Sequence, residues 1–313
     1  MEEIFYPSHD NVTTIHACLW KPQGEVIAVL QIFHGMSEYA ERYAPFAENL
    51  TKHGIAVVAE DHLGHGLSVT DSSKLGYFCE KNPVDTVLAD MFTLTQKAKE
   101  LFPHAPLFVM GHSMGSFFCR NFVAKHGKDL SGAVIMGTGW QTQTMINFAL
   151  TLTRREAKKN GWEYCSPFIN NAAFGSYNKR FKPARTNYDW LSVSTQNIDT
   201  YLADPLCGFP FTCNGFYTLF SVIKRACNEN TIAKTPKSLP LYLVSGDQDP
   251  VGSYGKGVVQ TYKAYQKAGV DDVELTLYRG FRHEILNDDC AEQVTSDIID
   301  FIFNHLPKPA TKA

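Results

Sequence analysis

The chain has 313 residues, 44% apolar and 19% charged, values that fit a folded globular protein and exclude a disordered or fibrous one. Twenty-nine Lys and Arg against 32 Asp and Glu leave a net charge of −3, which supplies no basic footprint for nucleic-acid phosphates. At this length one large domain, or a domain with a sizeable insertion, buries enough surface to need no disulfide or metal staple.

The first 22 residues hold two short alternating segments flanking His9-Asp10-Asn11, the pattern of an antiparallel hairpin at a sheet edge. Beyond them, short apolar runs at 26–33, 55–59, 107–110, 133–136, 241–244 and 273–278 read as strands. Several are apolar throughout, as expected for parallel strands covered on both faces. Amphipathic stretches at 41–53, 83–101, 113–126, 254–268 and 291–306 read as helices, with Asn287-Asp288-Asp289 as cap-type residues for the last. This alternation predicts an α/β fold with a mostly parallel central sheet flanked by helices. The rhythm stops between residues 139 and 233, where no buried strand is visible and aromatics such as Trp140, Trp162, Phe174 and Trp190 are frequent. That stretch is too long for a loop and too aromatic for disorder. It reads as an inserted, largely helical cap that divides the core into residues 1–138 and 234–313.

The eight cysteines form no C-x-x-C pair and no Cys/His cluster at zinc spacing. The start, Met-Glu-Glu-Ile-Phe-Tyr-Pro, lacks the basic and apolar regions of a signal peptide, so reduced thiols and a cytoplasmic location are expected. No apolar stretch is long enough to span a bilayer. Asp61, His62 and His65 fit a structural loop after a strand better than a metal site. Gly64 and Gly66 open no phosphate-binding helix. Neither a metal nor a cofactor is expected.

Gly111-His112-Ser113-Met114-Gly115 follows an apolar run and precedes a helix-compatible one, which is G-x-S-x-G in the strand–turn–helix setting it requires. The flanking glycines, Gly111 and Gly115, permit a tight turn that pushes the Ser113 hydroxyl out above the sheet. Serine is a weak nucleophile and needs a base held by a carboxylate. The chain order for this elbow is Ser, then Asp or Glu, then His. After the strand at 241–244 come Asp247 and Asp249, either of which can fill the acid position. His283 follows the last strand. All emerge at the carboxyl ends of parallel strands, where open α/β sheets place their sites. An oxyanion hole needs two backbone N–H groups. One is expected from Met114 at a helix start, the other from Met36 in the His34-Gly35-Met36-Ser37-Glu38 loop, which otherwise reads as a tight turn at Gly35.

The segments 34–43 (HGMSEYAERY) and 61–68 (DHLGHGLS), together with Gly-His-Ser-Met-Gly, Gly246-x-x-Asp249 and Arg282-His283-Glu284-Ile285-Leu286, resemble the monoacylglycerol lipase/lysophospholipase branch of the α/β-hydrolases. They fall in the family's order over the core, from about residue 25 to 305. The resemblance implies the α/β-hydrolase fold and selects Asp249 over Asp247. It implies Ser113 as nucleophile, Asp249 and His283 as its partners, and Met36 and Met114 as oxyanion donors. The expected activity is hydrolysis of lipid-like monoesters through an acyl-enzyme, with small esters as an alternative. A peptidase of the proline-iminopeptidase type competes, because Glu156, Glu163, Asp189, Asp199 and Asp204 are available in the cap to hold an amine. Residues 145–150, followed by Arg154, Arg155, Lys158 and Lys159, read either as a cap helix over an acyl pocket or as a basic amphipathic helix touching a membrane surface transiently.

Overall fold

In the computed structural model, which describes residues 1–307, Glu2–Pro7 (β1) and Thr14–Trp20 (β2) form the expected hairpin, paired antiparallel at one edge of an eight-stranded sheet. Residues 308–313, the end of the second core segment, lie outside the described residues. Ala28–Phe33 (β3), Ile55–Glu60 (β4), Leu107–His112 (β5), Gly132–Met136 (β6), Leu241–Gly246 (β7) and Val273–Tyr278 (β8) run parallel, in the order β1-β2-β4-β3-β5-β6-β7-β8. Alternate residues of the inner strands fill two cores. On β3, Ala28, Leu30 and Ile32 pack to one side and Val29 and Phe33 to the other. Gln31 also lies within the sheet, and its buried amide is satisfied by the Met91 carbonyl and the Thr95 hydroxyl. The first core is shared with Ala44–Lys52 (α1) and Ala291–Asn304 (α10). The second is shared with Pro83–Leu101 (α2), Met114–His126 (α3) and Lys256–Lys267 (α9).

Register aligns the strand ends. Phe33 pairs with Gly111, His112 with Met136, and Gly246 with Tyr278, so the loops that follow β3, β5, β7 and β8 leave from one edge. Helix ends differ from the sequence expectation by a few residues. Residues 40–43 form a 3-10 turn before α1, and α10 stops at Asn304. Its cap also differs: the position before the helix is Cys290, with no side-chain cap bond. The Asp288 carboxylate instead accepts from the Val193 and Asp289 N–H groups, and long-range bonding wins over local capping.

Between β6 and β7 the chain forms no strand. It forms Gln143–Asn160 (α4), Pro167–Phe174 (α5), Thr195–Ala203 (α6), Cys213–Ala226 (α7) and Glu229–Ile232 (α8). All five start on a side-chain cap, with Thr142, Ser166, Ser194, Thr212 and Asn228 each accepting a first-turn N–H. α7 is fastened to α3, where Asn121 donates to the Val222 carbonyl and Arg120 to the Ala226 carbonyl. Among the described residues no helix is long and apolar enough to cross a membrane.

Candidate active site

Ser113 stands between β5 and α3 at φ 53° and ψ −120°, a region that non-glycine residues rarely occupy. The turn closes only because its neighbours lack side chains. A Cβ on Gly115 would run into the carbonyls of Phe33 and His34, and one on Gly111 would meet the Gly115 carbonyl. The strained turn leaves Ser113 half-buried on the wall of a cavity of about 740 Å³, which it shares with Met36, Met114 and His283.

His283 is 2% exposed, and its Nδ1 lies 2.8 Å from Asp249 Oδ2. Asp249 is fully buried and also accepts from the Val251 N–H at 2.8 Å and the Ser245 hydroxyl at 3.3 Å. The carboxylate therefore fixes a proton on Nδ1 and leaves Nε2, buried and without a protein partner, as the basic nitrogen. Asp247 is placed elsewhere, accepting from the Gly280 N–H at 2.8 Å and so bridging the loops that follow β7 and β8. Met114 is the first residue of α3, where backbone N–H groups lack intrahelical partners. In the facing loop the Gly35 N–H is taken by Glu38 Oε1 at 2.5 Å, and the next residue, Met36, lines the cavity.

His34 and Gly35 are held from behind. The His34 ring accepts from the His62 N–H at 2.9 Å and stacks on the His62 ring at 3.9 Å between centroids. Burial pushes His34 down to about 3 and His62 to about 4, so both are neutral at ordinary pH. Asp61 accepts from the Ala40 and Leu67 N–H groups and pairs with His16, the structural role expected for that loop.

Sequence reasoning missed a ring of charge behind the site. Arg42 donates to Glu38 Oε2 at 2.6 Å and forks onto Glu284 at 3.1 and 3.0 Å. His112 lies against Glu38, Tyr43 and the His283 carbonyl. Burial alone would raise the Glu38 carboxyl, but the His112 hydrogen bond and the Arg42 charge hold it well below the usual range. Burial acts the same way on Glu284, and Arg42 lowers it. The helical insert braces the same loops. The Leu191 carbonyl accepts from the His283 and Glu284 N–H groups, Trp190 packs on the His283 ring, and Gly208 donates to the Ser37 carbonyl. The Glu38/Arg42 spacing of four was visible in sequence, whereas the pairing with Glu284 exists only in the fold.

The cavity walls are mainly apolar, with Ile146, Leu152, Ile169, Leu219, Phe220 and Ile223 contributed by the insert. Its carboxylates, Glu38 and Glu284, are both engaged by Arg42. The five insert acids considered as amine ligands bond elsewhere: Glu156 to Ser166, Glu163 to Lys74, Asp189 to Thr186, Asp199 to Arg185 and Asp204 to Tyr39.

An eight-stranded sheet of this order, with a serine elbow after β5 and an Asp–His pair on the loops after β7 and β8, defines the α/β-hydrolase class. Residues 24–290 match the family described as serine aminopeptidase, S33, and the chain belongs to it, within the monoglyceride-lipase-like branch. It is 23% identical over 288 residues to a monoacylglycerol lipase of Mycolicibacterium smegmatis, spanning 92% of both chains. It is 24% identical to a monoglyceride lipase of Rattus norvegicus, over 90% of this chain and 82% of that one. A thermostable carboxyl esterase from Bacillus coagulans, solved with glycerol, superposes with a TM-score of 0.92 at 29% identity, over 98% of this chain and 99% of the other. A monoglyceride lipase from Saccharomyces cerevisiae shares the fold, with a TM-score of 0.77 at 20% identity over 98% and 96% of the two chains.

Proposed function

We propose that the protein hydrolyses lipid-like carboxylic monoesters, of which long-chain monoacylglycerols are the model substrate, through a Ser113–His283–Asp249 triad. The observation that carries this is the pairing of Asp249 with His283 at 2.8 Å beside an elbow serine, in an apolar cavity of about 740 Å³. His283 Nε2 takes the Ser113 proton as Oγ bonds to the ester carbonyl carbon. The Met36 and Met114 N–H groups stabilise the oxyanion. The tetrahedral adduct collapses as the alkoxide leaves with the proton from Nε2, and water repeats the sequence on the acyl-enzyme. The family description names an aminopeptidase, but both carboxylates on the cavity wall are already engaged by Arg42, which favours an uncharged ester over a free amine.

The finer parts of the reading follow from the insert. Residues 139–233 act as a cap whose α7 is fixed to the core and whose α4 and α5 roof the acyl site. On α4, Met145 and Phe148 are 62% and 64% exposed yet line the cavity, and Arg154, Arg155, Lys158 and Lys159 are exposed farther along. That combination suits transient contact with a lipid surface. Eight free cysteines suit a reducing, cytoplasmic setting.

The test compares a long-chain monoacylglycerol, a short-chain aryl ester and an aminoacyl anilide, with Ser113→Ala as the blank. The expected order places the monoacylglycerol far above the anilide, with kcat lowered on the order of 10⁶-fold in the variant. A dominant short ester would make the protein a small-ester carboxylesterase. A dominant anilide rate would overturn the ester reading.

A further inference from the structure

His112 sits in the motif beside Ser113, is 5% exposed, and presents both ring nitrogens to acceptors. Nε2 lies 3.3 Å from the His283 carbonyl oxygen, which has only lone pairs to offer. Nδ1 lies 3.2 Å from Glu38 Oε1 and 3.1 Å from the Tyr43 hydroxyl oxygen. The single Tyr43 proton goes to Glu38 Oε1 at 2.9 Å, so its oxygen also accepts from the ring. A neutral imidazole has one N–H and would set a lone pair against either a carboxylate or a carbonyl; the doubly protonated ring satisfies both sides. The buried charges agree. Glu38 and Glu284 carry two negative charges, Arg42 carries one positive, and a cation at His112 brings the cluster to neutrality.

We infer that His112 is held as an imidazolium and that this cation is a positioning residue for the reaction proposed above, joining the oxyanion loop to the His283 loop. The bonds form a closed ring: His283 is followed by Glu284, Glu284 binds Arg42, Arg42 binds Glu38, Glu38 binds His112, and His112 returns to the His283 carbonyl. Glu38 also holds the Gly35 N–H, which orients the peptide leading to Met36. The groups facing the ring are Glu38 and Tyr43 from the loop after β3, with Arg42 behind Glu38, and His283 and Glu284 from the loop after β8. The His283 ring lies 4.8 Å from the His112 ring between centroids. Burial pulls the imidazole down, and the Glu38 hydrogen bond and charge override it and push it above its ordinary value. The acceptors on opposite sides of the ring hold the second proton, and it leaves only as pH rises. Its loss frees one side of the ring, loosens both loops, and lowers kcat rather than substrate affinity.

The test is nitrogen-15 NMR of the full chain labelled in histidine, alongside pH profiles of ester turnover. At neutral pH His112 is expected to show two protonated ring nitrogens and to titrate in the alkaline range. Its resonances are assigned by their loss in His112→Gln, or by their shift in Glu38→Gln should the first variant fail to fold. Wild-type kcat is expected to fall with the same midpoint while KM holds. In His112→Gln kcat is expected to drop on the order of 10²-fold with that alkaline limb gone, and in Glu38→Gln the midpoint moves to lower pH. A singly protonated ring at neutral pH, or an alkaline limb unchanged in His112→Gln, would overturn the inference. The NMR signal needs no turnover, so it fails separately from the ester reading, which Ser113→Ala tests.

Discussion

Asp249 and Asp247 are two residues apart and chemically identical, yet only one reaches the imidazole. Asp249 lies 2.8 Å from His283 Nδ1, whereas Asp247 holds the Gly280 N–H at 2.8 Å. Asp249→Asn reverses the donor on that contact and favours the wrong imidazole tautomer, so kcat should fall on the order of 10⁴-fold with KM little changed. Asp247→Asn weakens one turn and should cost about 1 kcal/mol of stability with kcat nearly intact. Steady-state kinetics of the two variants separates them, and equal losses would remove Asp249 from its role. Ser113 and its glycines were legible because the elbow is local and its constraints lie within five consecutive residues. Residue types and spacing alone left the acid open between positions 247 and 249. Glu284 stayed invisible as an Arg42 partner because 242 positions separate the two and only the sheet order joins them.

At the scale of elements, the elbow depends on how closely α3 approaches β3. A methyl group on Gly115 would press into the Phe33 and His34 carbonyls, so Gly115→Ala should force the turn open, lowering both thermal stability and kcat. The insert is tied down by Arg120, which is 1% exposed. It donates to the Thr138 hydroxyl, the Gly139 carbonyl and the Ala226 carbonyl, and so grips the beginning and end of the α4–α7 excursion from one turn of α3. Arg120→Met takes away all three bonds, leaving the Gly139 carbonyl with the Thr261 hydroxyl at 3.3 Å, at an expected cost on the order of 3 kcal/mol in denaturant unfolding. An unchanged midpoint would show that packing alone holds the insert. Strands were legible because the inner parallel strands are mostly apolar runs covered on both faces, and β8 alternates Val273, Leu275 and Leu277 with Glu274 and Thr276. The α10 cap was misread because Asp288 bonds to Val193, a residue of the insert. Helix attachment within the insert was equally hidden, since α7 faces α3 through contacts between distant parts of the chain.

For the molecule as a whole, the buried neutral histidines set the acid side of stability. His34 and His62 titrate at about 3 and about 4 in the folded chain, against an ordinary value of 6.5. From pH 6.5 down to those values the unfolded chain binds protons that the folded chain does not. Stability therefore falls with decreasing pH, by up to about 1.4 kcal/mol per unit for each site. His112 and His16 are shifted upward, so their contributions have the opposite sign: full below 6.5 and lost as pH rises through their folded values. Calorimetry should show Tm dropping from pH 7 to 5 in the wild type, with a smaller drop in His62→Gln; equal slopes would contradict this source of acid sensitivity. The central claim, that Ser113 carries the acyl group of a lipid-like ester, is tested most directly by acid-quenching the protein during turnover of a long-chain monoacylglycerol and mapping its peptides by mass spectrometry. The expected result is the acyl mass on the peptide holding Ser113, absent from Ser113→Ala along with turnover. Undiminished hydrolysis by Ser113→Ala, or an acyl group on another residue, would contradict it.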